Sequence, residues 1–385
     1  MSRYATRLEA IQPFHVMRLL AQARRLESEG RDIIHMEVGE PDFPTPAPIV
    51  RAGMAALREG RTHYTPALGL PALREAIAAY YRSRLGADVA ADRIVVTPGA
   101  SGALQLLMAL LVEQGDRVLM ADPGYPCNRN FAFLYDGKPV SIDVSQSEFQ
   151  LSRAQLESHW LDAGRTTVLV TSPSNPAGTL MSRQALTEIF SLVRQRNGYL
   201  VVDEIYQGLT YGGEAFTAAA LDESIFVINS FSKFFGMTGW RLGWLVAPPD
   251  AVPALDRLAQ NLFLSAPTPS QYAALAAFTP ETLEILESRR QRFARRRDFL
   301  LPALQALGFR FPVTPEGAFY LFADCSALNV DSTTLAERLL EQAGVATTPG
   351  LDFSVHQPER WLRFAYTTSL ARLREGVDRI ASVIR

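Results

Sequence analysis

Only two of the 38 Lys and Arg residues in this 385-residue chain are lysines, Lys138 and Lys233. A guanidinium stays protonated, whereas a desolvated ammonium can lose its proton, attack a carbonyl and form a Schiff base. Lys138 sits in Asp136-Gly-Lys-Pro139, a turn sequence, and reads as a solvated charge. Lys233 sits in Asn229-Ser-Phe-Ser-Lys-Phe-Phe-Gly-Met-Thr-Gly-Trp-Arg241, among aromatics, glycines and hydroxyls. That setting suits a reactive amine better than a surface charge.

Other polar groups fall into sets that could serve the same chemistry. Asp203 closes the apolar run Tyr199-Leu-Val-Val-Asp203. A carboxylate there is either partly solvated at a strand end or paired with a buried cation, because an unpaired buried charge is costly. Tyr206, three residues on, is equally compatible with simple packing. Thr97-Pro-Gly-Ala-Ser-Gly102 follows one predicted strand and opens a helix. Its glycines would let backbone N–H groups approach a phosphate at the helix N-terminus, although an ordinary strand–helix turn has the same character. Ser230, Ser232 and Arg241 bracket Lys233 and form a second set suited to phosphate. Ser172-Pro-Ser-Asn-Pro-Ala-Gly178 ends another strand, where the alternative is local turn chemistry by Asn175.

These groups need elements to position them. Between residues 90 and 250 the candidate strands are Arg93–Thr97, Arg117–Ala121, Val140–Val144, Thr167–Thr171, Tyr199–Asp203, Ile225–Asn229 and Leu242–Ala247. Several are almost continuously apolar, as in a sheet covered on both faces. Helical patterns at 101–114, 125–135, 153–161 and 182–197 fill most gaps, the last opened by Ser182 as N-cap. This is the rhythm of a mostly parallel, seven-stranded, doubly wound α/β sheet. The gap from Asn229 to Leu242 leaves little room for a crossover helix, so the seventh strand is expected to run antiparallel. A helix over 14–29, the proline-held segment 39–46 and a charged helix over 281–306 flank this block. The large domain is placed at 46–281, and a smaller α+β domain at 1–45 plus 282–385. The charged helix carries Arg289, Arg290, Arg292, Arg295, Arg296 and Arg297 behind Glu281, Glu284 and Glu287, the pattern of a solvated or domain-bridging face rather than a nucleic-acid patch.

Composition excludes several classes. Hydrophobic residues at 48%, charged residues at 20% and a net charge of −2 describe a globular protein with no global field for nucleic acid or anionic membrane. Apolar runs such as Leu106 to Val112 are far short of a membrane span, and the N-terminus carries no apolar signal core. Two cysteines, Cys127 and Cys325, make no disulfide framework and fit a reducing cytoplasm. The five histidines are scattered, so no metal site is expected.

Together the sets describe a ligand with a phosphate, an aldehyde for Lys233 and a basic ring nitrogen for Asp203. Pyridoxal 5′-phosphate carries all three, and proteins hold it by a lysine Schiff base with an acidic pyridinium partner. On these motifs the chain resembles the class I/II pyridoxal-phosphate aminotransferases of fold type I, the aspartate aminotransferase superfamily. Asp-Glu-Ile-Tyr at 203–206, the segments 172–178 and 230–241, Gly-Glu-Pro-Asp-Phe at 39–43 and Tyr-Thr-Pro-Ala-Leu-Gly at 64–69 carry the resemblance. Pro-Glu-Gly-Ala-Phe-Tyr at 315–320 and Trp-Leu-Arg-Phe-Ala at 361–365 extend it, in order, over residues 11 to 370.

The resemblance implies roles. Lys233 would hold the internal aldimine and shuttle the substrate's α-proton, and Asp203 would keep the ring nitrogen protonated. Tyr206 and Asn175 would bond the ring's phenolic oxygen, and Tyr125 would stack on the ring. Ala100, Ser101, Ser230, Ser232 and Arg241 would hold the phosphate, joined by Tyr64 from a second subunit of a homodimer. A partner-derived hydroxyl would come from Leu264-Ser-Ala-Pro-Thr-Pro-Ser-Gln271. Arg363 would bind the substrate α-carboxylate, helped by Asn175 and the Gly39 backbone. The implied activity is ping-pong transfer of an amino group from an L-amino acid to a 2-oxo acid.

Relatives specific for aspartate often carry a lysine two residues after the phosphate-loop glycine, where this chain has Ser101. Neutral or aromatic donors are therefore expected, with Phe14, Val16 and Phe353 lining the side-chain pocket. The alternatives are a C–S β-lyase or another enzyme on the same scaffold, an aspartate-specific aminotransferase, and a ligand-sensing domain of a DNA-binding regulator. The last needs an N-terminal helix-turn-helix, for which about 45 residues leave no room.

Overall fold

The computed structural model describes residues 4–11, 13–161, 164–212 and 216–384. The first three residues of the expected small domain, Gln12 and Arg385 lie outside them, as does the start of the N-terminus read for a signal core.

Seven strands form the central sheet: β1 (Ile94–Thr97), β2 (Arg117–Asp122), β3 (Lys138–Asp143), β4 (Thr166–Thr171), β5 (Tyr199–Asp203), β6 (Phe226–Ser230) and β7 (Gly243–Val246). Their order is β1-β7-β6-β5-β4-β2-β3. The apolar runs are buried as their composition demands: Val168 to Val170, Leu200 to Val202 and Val227 to Ile228 are all within the core. β7 pairs antiparallel with both β1 and β6, and every other pairing is parallel, as expected for the strand that follows too short a connection. Lys138 is exposed, as a solvated charge should be, but it opens β3 instead of sitting within the turn.

The helices lie close to their sequence-based spans, at Gly99–Leu111, Pro126–Leu134, Arg153–His159 and Arg183–Gln195. Ser182 caps the last of these, its hydroxyl accepting from the Ala185 N–H at 3.1 Å. Ser152 and Gln155 form a reciprocal capping box on Arg153–His159.

A second sheet contains β8 (Tyr320–Asp324), β9 (Thr348–Pro349) and β10 (Trp361–Ala365) in the antiparallel order β9-β10-β8. The N-terminal segment joins this part of the molecule through Ile34–His35, which pairs parallel with Val345–Ala346. The helix His15–Ser28 is held there from outside: both Asp352 carboxylate oxygens accept backbone N–H bonds, from His15 and Val16, at 2.7 Å each.

The charged helix spans Pro280–Gln305. Some of its arginines tie it to other elements, while Arg292 and Arg295 are exposed. Arg296 is buried and bonds both Asp42 oxygens at 2.7 and 2.8 Å. Arg290 donates to the Thr210 carbonyl and Arg297 to the Pro315 carbonyl, each at 2.7 Å. Arg289, Arg292 and Arg296 stand 4.7 to 5.1 Å from the Phe43 ring, which their guanidinium faces cover.

Candidate active site

Sheet topology brings the polar groups to one edge. β4, β5 and β6 end at Thr171, Asp203 and Ser230, and β1 ends at Thr97. β7 runs the other way, so Gly243 at its start pairs with both Thr97 and Ser230. Arg241, two residues ahead of β7, therefore arrives at the edge where the parallel strands finish. Ligand clefts form at that edge in open α/β sheets. Here a cleft of about 490 Å³ is lined by Ala100, Ser101, Tyr125, Asn175, Asp203, Tyr206, Ser230, Ser232, Lys233 and Arg241 from this side. Gly39, Tyr320, Phe353 and Arg363 line it from the other, beside Phe14, Val16, Met17 and Leu20.

The turn between β1 and its helix is built for close approach. Gly99 has φ +70°, and a Cβ there would stand 2.7 Å from Arg241 Nη2. A Cβ at Gly243 would meet the Gly99 carbonyl carbon at 2.7 Å and the Ala100 nitrogen at 2.8 Å. Ser230 and Ser232 are buried beside this turn, with the Ser232 N–H donating to Ser230 Oγ at 3.0 Å. Backbone N–H groups of a helix start, two hydroxyls and a guanidinium make a phosphate cradle.

Lys233 Nζ donates to the Gly39 carbonyl at 2.7 Å and lies 5.9 Å from the ring centres of Tyr206 and Phe319. Burial pulls its pKa down from 10.5 to about 8, assisted by the Arg363 and Arg241 charges and opposed by Glu40 and Asp203. Asp203 is 4% exposed, and its Oδ1 accepts from the Ile205 N–H at 3.0 Å. Burial raises its pKa to about 6. Among the described residues it forms no salt bridge. A buried carboxylate that faces the cleft in this way fits a cationic ring nitrogen.

Arg363, on β10, is 4% exposed. Nη1 donates to Asn175 Oδ1 at 3.0 Å and Nη2 to the Glu37 carbonyl at 2.7 Å. Its guanidinium lies 4.2 Å from the Tyr320 ring centre and 4.4 Å from that of Phe353. Its Nε has no hydrogen-bond partner among the described residues. A planar cation held between two rings with donor capacity to spare suits a carboxylate. The Asn175 amide bonds across 188 residues, so local turn chemistry is not its role.

Three placements add to what the sequence suggests. The Gly39 carbonyl is engaged by Lys233, whereas the Arg363 guanidinium uses the Glu37 carbonyl. The Tyr206 hydroxyl bonds the Tyr320 hydroxyl at 2.8 Å, a partner that sequence reasoning missed although Tyr320 lies in the quoted 315–320 motif. Tyr64 is 80% exposed and does not line the cleft. Its neighbours pack against the 264–271 segment, with Thr268 Oγ1 donating to the His63 carbonyl at 2.7 Å and Gln271 Nε2 to Thr65 Oγ1 at 2.9 Å. The missed Asp352 also lines the cleft, and only its position beside Phe353 hinted at it.

A mostly parallel sheet with one antiparallel strand, a phosphate cradle, and a half-buried lysine sharing the cleft with a buried carboxylate define a pyridoxal-phosphate enzyme of fold type I. The aminotransferase class I and II family matches residues 31–380, and the chain belongs to it. The chain is 39% identical over 377 residues to a (5-formylfuran-3-yl)methyl phosphate transaminase of Methanocaldococcus jannaschii, covering 97% of each protein. It is 38% identical to a valine–pyruvate aminotransferase of Mycobacterium tuberculosis, covering 97% of this chain and 96% of that one. The crystal structure of Thermus thermophilus aspartate aminotransferase with maleate superposes with a TM-score of 0.93 at 33% identity, over 100% of both chains. The protein is thus a pyridoxal-phosphate-dependent aminotransferase. Among the described residues no helix is long and apolar enough to cross a membrane.

Proposed function

We propose that the chain is a cytoplasmic homodimer that moves the amino group of a neutral or aromatic L-amino acid to a 2-oxo acid in ping-pong order. The charge inventory of the cleft carries the donor class. Its described cations are Lys233, Arg241 and Arg363, and each has a task in this reading. Phe14, Val16, Met17, Leu20 and Phe353 form an apolar wall, and the remaining charges are the acids Glu40, Asp203 and Asp352. A second substrate carboxylate has no free cation of this chain to meet there.

Pyridoxal phosphate supplies an aldehyde and an electron-withdrawing ring when bound. Lys233 would hold the aldehyde carbon through Nζ and would take up the proton released from the donor's α-carbon. Asp203 would keep a proton on the ring nitrogen, Tyr206 and Asn175 would bond the ring's phenolic oxygen, and Tyr125 would stack on the ring. Ala100, Ser101, Ser230, Ser232 and Arg241 would hold the phosphate, with Tyr64 and the 264–271 segment contributed across the dimer. Arg363 forks onto the α-carboxylate, and Asn175 orients it. The exposure of Tyr64 supports the shared site. In this reading residues 46–281 form the large unit and residues 1–45 with 282–385 the small one, the cleft lying between them. The free thiols of Cys127 and Cys325 support a reducing location.

A donor panel with 2-oxoglutarate as acceptor tests the donor class. Methionine, phenylalanine and alanine should exceed aspartate in kcat/KM. Aspartate leading by roughly tenfold, about 1.4 kcal/mol in the transition state, overturns it. Borohydride reduction followed by peptide mapping should mark Lys233, and a label on Lys138 alone overturns the whole assignment.

A further inference from the structure

We propose that Tyr320 is a positioning residue for the cofactor: its hydroxyl donates to the Tyr206 hydroxyl and so commits the Tyr206 proton to the cofactor's phenolic oxygen. The inference rests on the reading above, in which Tyr206 faces that oxygen. Tyr320 opens β8, is 1% exposed and forms part of the cleft wall. Its hydroxyl lies 2.8 Å from that of Tyr206, and the two rings meet edge to face at 81° with centres 5.8 Å apart. Phe319 packs edgewise on both, at 5.4 Å from Tyr206 and 4.9 Å from Tyr320. The contact therefore has little freedom to reorient.

A phenol carries one proton and can accept as well as donate. If Tyr206 directs its proton into the cleft, the proton in the shared bond belongs to Tyr320. Hydrogen bonds in such a chain polarise one another, so a Tyr206 oxygen that accepts becomes a stronger donor. Two surroundings favour this direction. The Arg363 guanidinium over the Tyr320 ring withdraws negative charge from the phenol and makes it the better donor of the pair. Burial pushes both phenols above their ordinary range, so both keep their protons at neutral pH. Gly39 makes the arrangement sterically possible. A Cβ at that position would stand 1.9 Å from the Tyr320 hydroxyl oxygen, so any other residue would drive the hydroxyl away. One bond thus joins the turn after β5, which carries Tyr206, to the sheet that carries Arg363.

The test is Tyr320→Phe, which keeps the ring under Arg363 and removes only the hydroxyl, examined alone and with Tyr206→Phe. The readout is the pH at which the visible absorbance of the holoenzyme changes between its two forms. Donation to the phenolic oxygen stabilises its anion and lowers that pH. Tyr320→Phe weakens the donor, so the transition should move up by roughly 0.3–0.7 unit, about two- to fivefold in the protonation equilibrium. In the Tyr206→Phe background, itself shifted upward, removing the Tyr320 hydroxyl should add nothing. A shift for Tyr206→Phe with none for Tyr320→Phe overturns the proposal and leaves the Tyr206 reading standing. Equal shifts from Tyr320→Phe in both backgrounds also overturn it, because Tyr320 then acts by another route. No shift for Tyr206→Phe overturns the underlying reading and the proposal with it.

Discussion

Arg363→Ala removes the group placed to recognise the substrate carboxylate. The guanidinium is anchored by Asn175 Oδ1 at 3.0 Å and the Glu37 carbonyl at 2.7 Å, between the rings of Tyr320 and Phe353. Truncating one partner of a buried, hydrogen-bonded charge pair costs about 2–5 kcal/mol. In kcat/KM for an amino acid that is about a 30- to 5,000-fold loss. The folded protein should suffer less, because relief from burying the charge offsets the lost ring contacts of about 0.5–2 kcal/mol each. The decisive assay compares an α-amino acid with the amine that remains after its carboxylate is removed. The penalty should be large for the first and near zero for the second. Arg363→Lys keeps the charge but not the fork, and should stay at least roughly tenfold impaired. An Arg363→Ala enzyme within about threefold of wild type on phenylalanine, or one equally impaired on both compounds, would refute the reasoning.

Asp203→Asn should slow α-proton abstraction by about two to four orders of magnitude, and near-native single-turnover rates would remove its role at the ring nitrogen. The same change should stabilise the cofactor-free protein. Burial raises the Asp203 pKa from 3.8 to about 6, so its carboxyl costs stability as pH climbs through that window, up to about 3 kcal/mol at pH 7. The apo variant should therefore melt above apo wild type at pH 7 but not at pH 4. Mixing inactive Tyr64→Ala with inactive Lys233→Ala should regenerate up to about a quarter of the active sites by random subunit pairing, and a fully active monomer in sedimentation contradicts a shared site. His35 bonds Glu37 at 2.7 Å and Glu27 at 3.1 Å, and the Glu37 contact leads the rise of its pKa from 6.5 to about 9. Its stabilisation is complete below pH 6.5 and disappears as pH rises through about 9. Discounted for partial exposure, His35→Gln should cost about 1–2 kcal/mol in urea unfolding at pH 6 and close to nothing at pH 10.

Contiguous residues determined the secondary structure, because apolar runs and helical periodicity belong to a short window of chain. The seven strands, the antiparallel turn of β7 and the Ser182 cap could all be read that way. The chemistry of Lys233, Asp203 and the serines around Lys233 was legible for a related reason: each residue type is unusual where it stands. Pairings across the chain were not legible, since no window of sequence contains both partners. Folding alone set the Tyr206 hydroxyl against Tyr320 at a separation of 114 residues, and Asp352 against the first N–H groups of a helix 336 and 337 residues away. It also chose the partners of Arg296, Arg290 and Arg297 on the 280–305 helix, which are Asp42, Thr210 and Pro315. The physical reason is the same throughout. Local propensity acts through neighbours in sequence, whereas the partner of a buried polar group is whichever donor or acceptor the packed sheets and helices bring within about 3 Å.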